Sequence, residues 1–540
     1  MSSAFNELHA GGRLTPEQAM AAYVNMPESY RSWVSENTFV SYFTASNRQS
    51  ILWHDYEGGG THAASTQSLQ FAAIRTDLNH CYLDEPTDIY CKLAGDKLPH
   101  PVAIALTKIN PMHCMAVGHP EPLFFRMILQ EMSVSGTCST GYNSMGYDEE
   151  MTRFGLWRNL LPVYNREFEF GCSRWDLLTV VAAYSALNIQ GIEWPVTEDG
   201  RRTIKLERLA QSNKIVQESA HNALDDVKAL IGLSKKLQEC NPILWASLFE
   251  NRNKRNSSLP FKTGNRGLFI SSRIGPDTNY SSPAIVLGPV PGESNKVAVV
   301  QLDQLDALRE CWRDSIEDIR RKRFATRETL EAAGEHRPPL QVVALNKSPI
   351  FFGEAYLHMH MPSAWSEQYT ELANKITSQP QFLAKLLSSL SSDEYEPVTN
   401  PELALYQAGF PSDKDKKTIT LLATEKLEQA FGTPPEWDNP IYGELWQRAR
   451  CKLNGYPGVN LSDDELSQWQ AYCVSELTKE LPEGGKHAVV NLNAVYDVLS
   501  ETDMPGELSE GYHSWLRLLR TGLGSHFPLP VPTEEIVPAP

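Results

Sequence analysis

From Ser50 onward the chain runs in short apolar stretches bounded by turn formers. Ile51-Leu52-Trp53 comes first, then a loop holding Gly58, Gly59 and Gly60, then Phe71-Ala72-Ala73-Ile74, with residues 88–91 as a third stretch. Runs of this length predict strands. Apolar positions at helical spacing follow over residues 120–132, 149–160, 175–187, 206–213 and 222–238, with a short strand at 137–142. Strands first, then strands mixed with helices, predict an α/β domain over residues 46–240. Ahead of it, Thr15-Pro16-Glu17-Gln18 offers a capping hydroxyl and a proline for a first turn, so an extension of residues 1–45 is expected to carry one helix over 19–26.

The pattern changes twice more. Residues 241–393 hold β-prone runs at 282–287, 297–302 and 340–345, interrupted by a charged helical stretch at 305–333, which predicts a small β-rich domain. After about residue 395 the period is helical, broken at Gly432-Thr433-Pro434-Pro435 and Tyr456-Pro457-Gly458. A helical third domain over 394–512 and a Pro-rich tail over 513–540 complete the division. No internal repeat is visible.

Length agrees with this, since 540 residues allow three or four domains. Apolar residues at 41% and charged ones at 21% describe a globular chain rather than a disordered or fibrous one. The net charge of -17 argues at first against a partner as acidic as nucleic acid. Between Asn251 and Gly275, however, there are six basic residues (Arg252, Lys254, Arg255, Lys262, Arg266, Arg273) and no acidic one. The nine cysteines are scattered singly, without zinc spacing, and read as reduced thiols. No basic start followed by an apolar run opens the chain, and residues 177–187 are too short to span a bilayer. A soluble protein of the cytoplasm, with no membrane contact, is expected.

Candidate chemistry begins with His54-Asp55-Tyr56-Glu57 at the end of the first strand. Side chains alternate along a strand, so Asp55 and Glu57 share a face, where two carboxylates repel unless a cation or proton lies between them. A further carboxylate, Asp148, follows Gly141-Tyr142-Asn143, and another, Asp226, lies five residues after His221 at a helix start. Alone, each is an ordinary surface carboxylate. The order D-x-E, N-x4-D, H-x4-D is what changes the reading. Glu149, Glu150 and Asp225 are expected to be solvated or helix-end charges. Asp176 is open between a role beside the site and that of a cap or ion-pair residue.

With these spacings the chain resembles the DEDDh group of DnaQ-like 3′→5′ exonucleases, and within it the bacterial exonuclease I family. The stretches that carry the likeness include Trp53-His54-Asp55-Tyr56-Glu57, Gln70-Phe71-Ala72-Ala73-Ile74-Arg75-Thr76-Asp77, Ser173-Arg174-Trp175-Asp176 and Ala220-His221. Outside the first domain it continues in Asn251-Arg252-Asn253-Lys254, Asn346-Lys347, Leu405-Tyr406 with Gly409-Phe410, and Arg448-Ala449-Arg450 with Tyr456-Pro457-Gly458, spanning about residues 50–480. The resemblance implies an α/β, ribonuclease-H-like exonuclease domain, then an SH3-like β-rich domain and a helical C-terminal domain, together C-shaped.

The resemblance also implies the activity: processive, Mg2+-dependent 3′→5′ degradation of single-stranded DNA to 5′-mononucleotides, in DNA repair and recombination. Two ions would be held, with Mn2+ able to substitute: Asp55 bridging both, Glu57 and Asp226 on the one that activates water, and Asp148 on the other. His221 would be the general base. Glu57, Arg153 and Lys205 would meet the substrate, Lys205 standing where the family has an arginine. The basic stretch Arg252, Lys254, Arg255, Lys262 and Arg266 offers further contacts to DNA or to a partner. The family also binds the acidic C-terminal tail of single-stranded DNA-binding protein, for which Arg320-Arg321-Lys322-Arg323 is a candidate. A monomer in a bacterial or phage-infected cell, associated with the nucleoid, is implied. The rivals are a DEDDh exonuclease acting on short RNA, and a catalytically weak single-stranded-DNA-binding or scaffold protein.

Overall fold

The computed structural model describes residues 16–25, 49–216, 222–391, 397–480 and 490–524. The first sheet is built from β1 (Ser50–Gly58), β2 (Ser68–Thr76), β3 (Thr87–Tyr90), β4 (Thr137–Gly141) and β5 (Ser173–Asp176), in the order β3-β2-β1-β4-β5. β2 is antiparallel to β1 and β3, whereas β1, β4 and β5 are mutually parallel neighbours. Parallel neighbours need a crossover, and helices supply it. β1 and β2 are buried along almost their whole length, which is why they read as apolar runs rather than strict alternation.

Among the described residues, nine helices frame this sheet or precede it: α1 (Pro16–Val24), α2 (Pro101–Thr107), α3 (Pro111–Val117), α4 (Glu121–Met132), α5 (Asp148–Arg158), α6 (Leu177–Ala186), α7 (Leu206–Ser212), α8 (Ala223–Cys240) and α9 (Pro242–Glu250). α4 and α5 cross closely because residue 155 is glycine; a Cβ there would fall 2.1 Å from the Phe125 ring. α8 lies against β1 and β2.

The second sheet comprises β6 (Arg266–Ile270), β7 (Ser281–Val290), β8 (Glu293–Gln301), β9 (Leu340–Ala344) and β10 (Ile350–Gly353), all antiparallel in the order β10-β6-β7-β8-β9. Its inner face does not close on itself. Leu268, Ile285 and Val300 join Trp53, Trp175 and Trp245 in one buried cluster with the first sheet's helices. The helical third region meets the first domain twice. Phe154, Trp157 and Leu160 bury against Leu405, Tyr442 and Trp446. On the other side Leu69, Leu98 and Ile104 bury against Trp469, Tyr512, Trp515 and Leu519.

Four features differ from the sequence reading. Trp175, expected to open a helix, lies on β5, and α6 starts only after the Asp176 cap. α2 and α3 are additional, each with proline at its start and a capping side chain, His100 and Asn110, bonded to the backbone N of Val102 and Met112. The basic stretch contains strand β6, which is not among the β-prone runs expected for this domain. Finally, the helix Gly506–Leu523 runs through the boundary drawn between residues 512 and 513, so that part of the predicted tail is packed structure. No helix of the described residues is long and apolar enough to cross a membrane.

Candidate metal centre

β1 delivers two of the carboxylates and hides what lies between them. Asp55 and Glu57 project to one face, while Tyr56 between them points into the opposite side, where its hydroxyl is 2.9 Å from Thr152 Oγ1. Asp226 comes from the first turn of α8, whose N-cap Asn222 accepts from the backbone N of Leu224 and Asp225. One oxygen each from Asp55, Glu57 and Asp226 lie within 4.8 Å of one another.

Held this close, they oppose one another's ionisation. Burial, and then the Asp226 charge, push the Asp55 carboxyl up to about 8. Burial, and then Asp55 and Asp226, push Glu57 up to about 9. Asp148, the first residue of α5, is raised well above the usual carboxylate range by burial and by Asp55. A set of hard oxygen donors that resists ionisation together suits a divalent cation such as Mg2+ or Mn2+, which replaces the missing positive charge. These residues therefore fit the metal their pattern implies, although Asp148 stands outside the group of three.

The turn beyond Glu57 is shaped by Tyr147. Its hydroxyl donates to the Gly60 carbonyl at 2.6 Å, and a Cβ on residue 58 would sit 2.0 Å from that oxygen, so glycine is required there. Asp176 accepts from the backbone N of Asn143 (2.9 Å), Met145 (3.2 Å) and Leu178 (3.0 Å), which makes it the residue that caps α6 and ties the loop before Asp148. Burial raises its carboxyl to about 6 against those bonds. His54, on the face opposite Asp55, is fully buried against Phe71 and held neutral by that burial, down to about 4. His221 lies outside the described residues.

Glu149 is a correction. Expected as a solvated or helix-end charge, it lies in the first turn of α5 but is only 2% exposed, and its carboxylate accepts from Arg166 and Arg174, whose charges hold it well below the usual carboxylate range despite burial. Glu150 bonds Arg153 and the Tyr406 hydroxyl, and Asp225 pairs with Lys228 at 3.0 Å. No local pattern signals this network, because Arg166 comes from a 3-10 turn (Asn165–Glu167) and Arg174 from β5, both apart from α5 in the chain.

The expected strand-gripping residues divide. Arg153 lines a cleft of about 740 Å3 together with Trp157, Tyr164, Tyr406 and Phe410, but its guanidinium is already held by Glu167 at 2.9 Å. Lys205 is exposed ahead of α7. Arg252 lies over the Phe249 ring at 3.8 Å and pairs with Glu250, Lys254 bonds Asn295, and Arg266 pairs with Glu354 at 3.4 Å. Arg255 and Lys262 are exposed, with no ion pair to the described residues. The basic run at 320–323 is used internally: Lys322 is 4% exposed between Glu310 and Asp314, Arg321 pairs with Glu335, and Arg320 and Arg323 donate to the Ser388 and Ser389 carbonyls. Arg321 also lies 3.9 Å from Asp318 on the same helix.

Three family models match the chain: Exonuclease over residues 52–233, Exonuclease I SH3-like domain over 251–390 and Exonuclease I C-terminal domain over 399–504. The Exodeoxyribonuclease I of Haemophilus influenzae is 33% identical over 452 residues, covering 80% of this chain and 92% of that protein. Among solved structures, a moderately thermophilic exonuclease I from Methylocaldum szegediense superposes with a TM-score of 0.77 at 30% identity, covering 87% of this chain and 99% of the other. E. coli exonuclease I in complex with a dA16 oligonucleotide gives a TM-score of 0.78 at 26% identity, covering 87% and 100%.

Proposed function

The chain belongs to the exonuclease I family, and from that premise we propose that it is a 3′→5′ exonuclease that processively removes 5′-mononucleotides from single-stranded DNA in repair and recombination. The observation that carries the reading is the convergence of Asp55, Glu57 and Asp226 within 4.8 Å on a scaffold shared with that family.

Asp55, Glu57 and Asp226, with Asp148 nearby, would hold divalent cations, which we assign as two Mg2+ with Mn2+ able to replace them. Bound there, such ions acidify water and offset charge on the departing oxygen. His221, five residues before Asp226, is assigned the base that takes the water proton, a task for which an imidazole is the side chain most often used. Water oxygen adds to the terminal phosphorus, the bond from phosphorus to the penultimate 3′-oxygen breaks, and a 5′-mononucleotide leaves. His54 is unsuited to that role, since its ring is sealed in the opposite face of the sheet.

For the strand, the cleft beside Arg153 supplies aromatic faces in Tyr406 and Phe410, and bases of any sequence stack on such faces. Lys205, Arg255 and Lys262 are the exposed cations proposed to meet phosphates, and Glu57 is proposed to contact the terminal nucleotide. An acidic protein tail, as on single-stranded DNA-binding protein, would have to use such free cations, because the 320–323 run is engaged. The intact carboxylate set argues against a scaffold without activity. In assays on 3′-labelled oligonucleotides with Mg2+, labelled mononucleotide is expected from single-stranded DNA and none from the Asp226→Ala variant. Equal rates on RNA would reassign the substrate and leave the chemistry.

A further inference from the structure

We infer that Glu149, held by Arg166 and Arg174, is a positioning residue that sets where the Asp148 carboxylate stands relative to Asp55, Glu57 and Asp226. The inference rests on the hydrolytic reading above. It starts from a gap in the site: three carboxylates converge and the fourth does not. Asp148 opens α5, and the residue before it, Tyr147, provides no side-chain cap to the helix. An uncapped first turn is the part of a helix most free to shift. Something other than a cap must therefore hold it.

Two anchors do so. On one side, Thr152 donates to the Asp148 carbonyl at 2.8 Å and contacts the Tyr56 hydroxyl, tying the turn to the strand segment between Asp55 and Glu57. On the other, Glu149 is gripped at both oxygens. Arg166 donates to Oε1 at 3.2 Å and to Oε2 at 2.7 Å, and Arg174 on β5 donates to Oε2 at 3.0 Å. Glu167 joins Arg174 at 2.9 Å and Arg153 at 2.9 Å, and Arg153 reaches Glu150 at 3.2 Å. Three arginines thus face three glutamates, and Arg166 and Glu149 are almost fully buried.

Adjacent helix residues project about 100° apart, so Asp148 and Glu149 cannot serve the same surface. Both Glu149 oxygens accept from arginines, and Glu149 is not among the carboxylates that converge at the metal site. What it can do is fix the rotation of the turn, and with it the direction of Asp148. Such supporting partners of metal ligands typically change metal affinity or activity by about 10–100-fold when altered.

The test uses the full chain and two variants, Glu149→Gln and the charge-balanced Glu149→Gln/Arg166→Met, the second guarding against loss of fold from one uncompensated guanidinium charge. Mn2+ alone is titrated into DNA-free protein by thermal shift, and kcat and KM are measured on 3′-labelled single-stranded DNA. The expected result, in whichever variant folds, is a rise in Mn2+ half-saturation and a fall in kcat, each about 10-fold or more, with KM within about twofold. Unchanged Mn2+ half-saturation and kcat in a folded variant would overturn the inference, as would a change confined to KM. If wild type left DNA intact, the enzymatic reading would fail, while the Mn2+ titration would still decide the role of Glu149.

Discussion

At the scale of the residue, the site is a balance of like charges waiting for a cation. Asp55 and Glu57 are pushed up to about 8 and about 9, from ordinary values near ~4. The metal-free fold thus binds more protons than the unfolded chain over that interval. Stability is fully present below about pH 4 and is lost as pH rises towards 8–9. Asp55→Asn should therefore make the metal-free protein more stable at pH 8.5 by about 1–2 kcal/mol, a share of the shift discounted for its partial exposure, and change little at pH 4.5. Urea titrations in a chelator check this, and an equal effect at both pH values would contradict it. The four carboxylates were legible because their spacing is a pattern along the chain. Tyr147, Glu149 and the Tyr56–Thr152 link were not, because what joins each to the site is a contact across 17 to 96 residues of chain, which no local pattern records.

Elements are joined by a second buried ion cluster, away from the site. Lys452, at the end of the helix Pro440–Lys452, is 2.8 Å from Glu121 of α4, 2.8 Å from Glu402 and 3.4 Å from Asp96. Lys97 and Arg158 share those carboxylates, so three cations offset three anions. Lys452→Met leaves one buried charge uncompensated and is expected to cost about 3–5 kcal/mol, much of it recovered in Lys452→Met/Glu402→Gln. Chemical denaturation of the three proteins measures this, and additive losses in the double variant would contradict it. Among the elements, long apolar stretches were read well: the ends of β1, β2, α4 and α8 lie no more than five residues from their predicted positions. β5 was taken into the following helix because four residues ending in Trp175-Asp176 merge with an apolar run. Only its pairing with β4 makes it a strand. α2 and α3 did carry a signal, in Pro101 and Pro111 after capping residues, and each has only seven residues over which to display a period.

For the whole molecule, the net charge of -17 does not describe the surface that matters. Three acidic residues converge at the candidate metal centre with Asp148 outside that group, many others are spent on buried arginines and lysines, and Lys205, Arg255 and Lys262 remain exposed. The three regions share cores rather than meeting through linkers, a feature that composition shifts along the chain cannot reveal. Trp515, 2% exposed in the cluster joining the last helix to α2 and α3, tests that sharing. Trp515→Ala should cost about 3–5 kcal/mol and lower one common thermal transition, whereas a separate early transition for the C-terminal region would contradict a joint core. The central claim is the 3′→5′ hydrolysis itself. Its most direct measurement compares a single-stranded DNA labelled at its 3′ end with the same strand labelled at its 5′ end, with Mg2+ present and with Asp55→Ala and Asp226→Ala as controls. The 3′ label should appear at once as mononucleotide and the 5′ label only at the end of digestion, with both variants reduced by at least about 1000-fold. Early release of the 5′ label, or undiminished release by Asp55→Ala, would contradict the account.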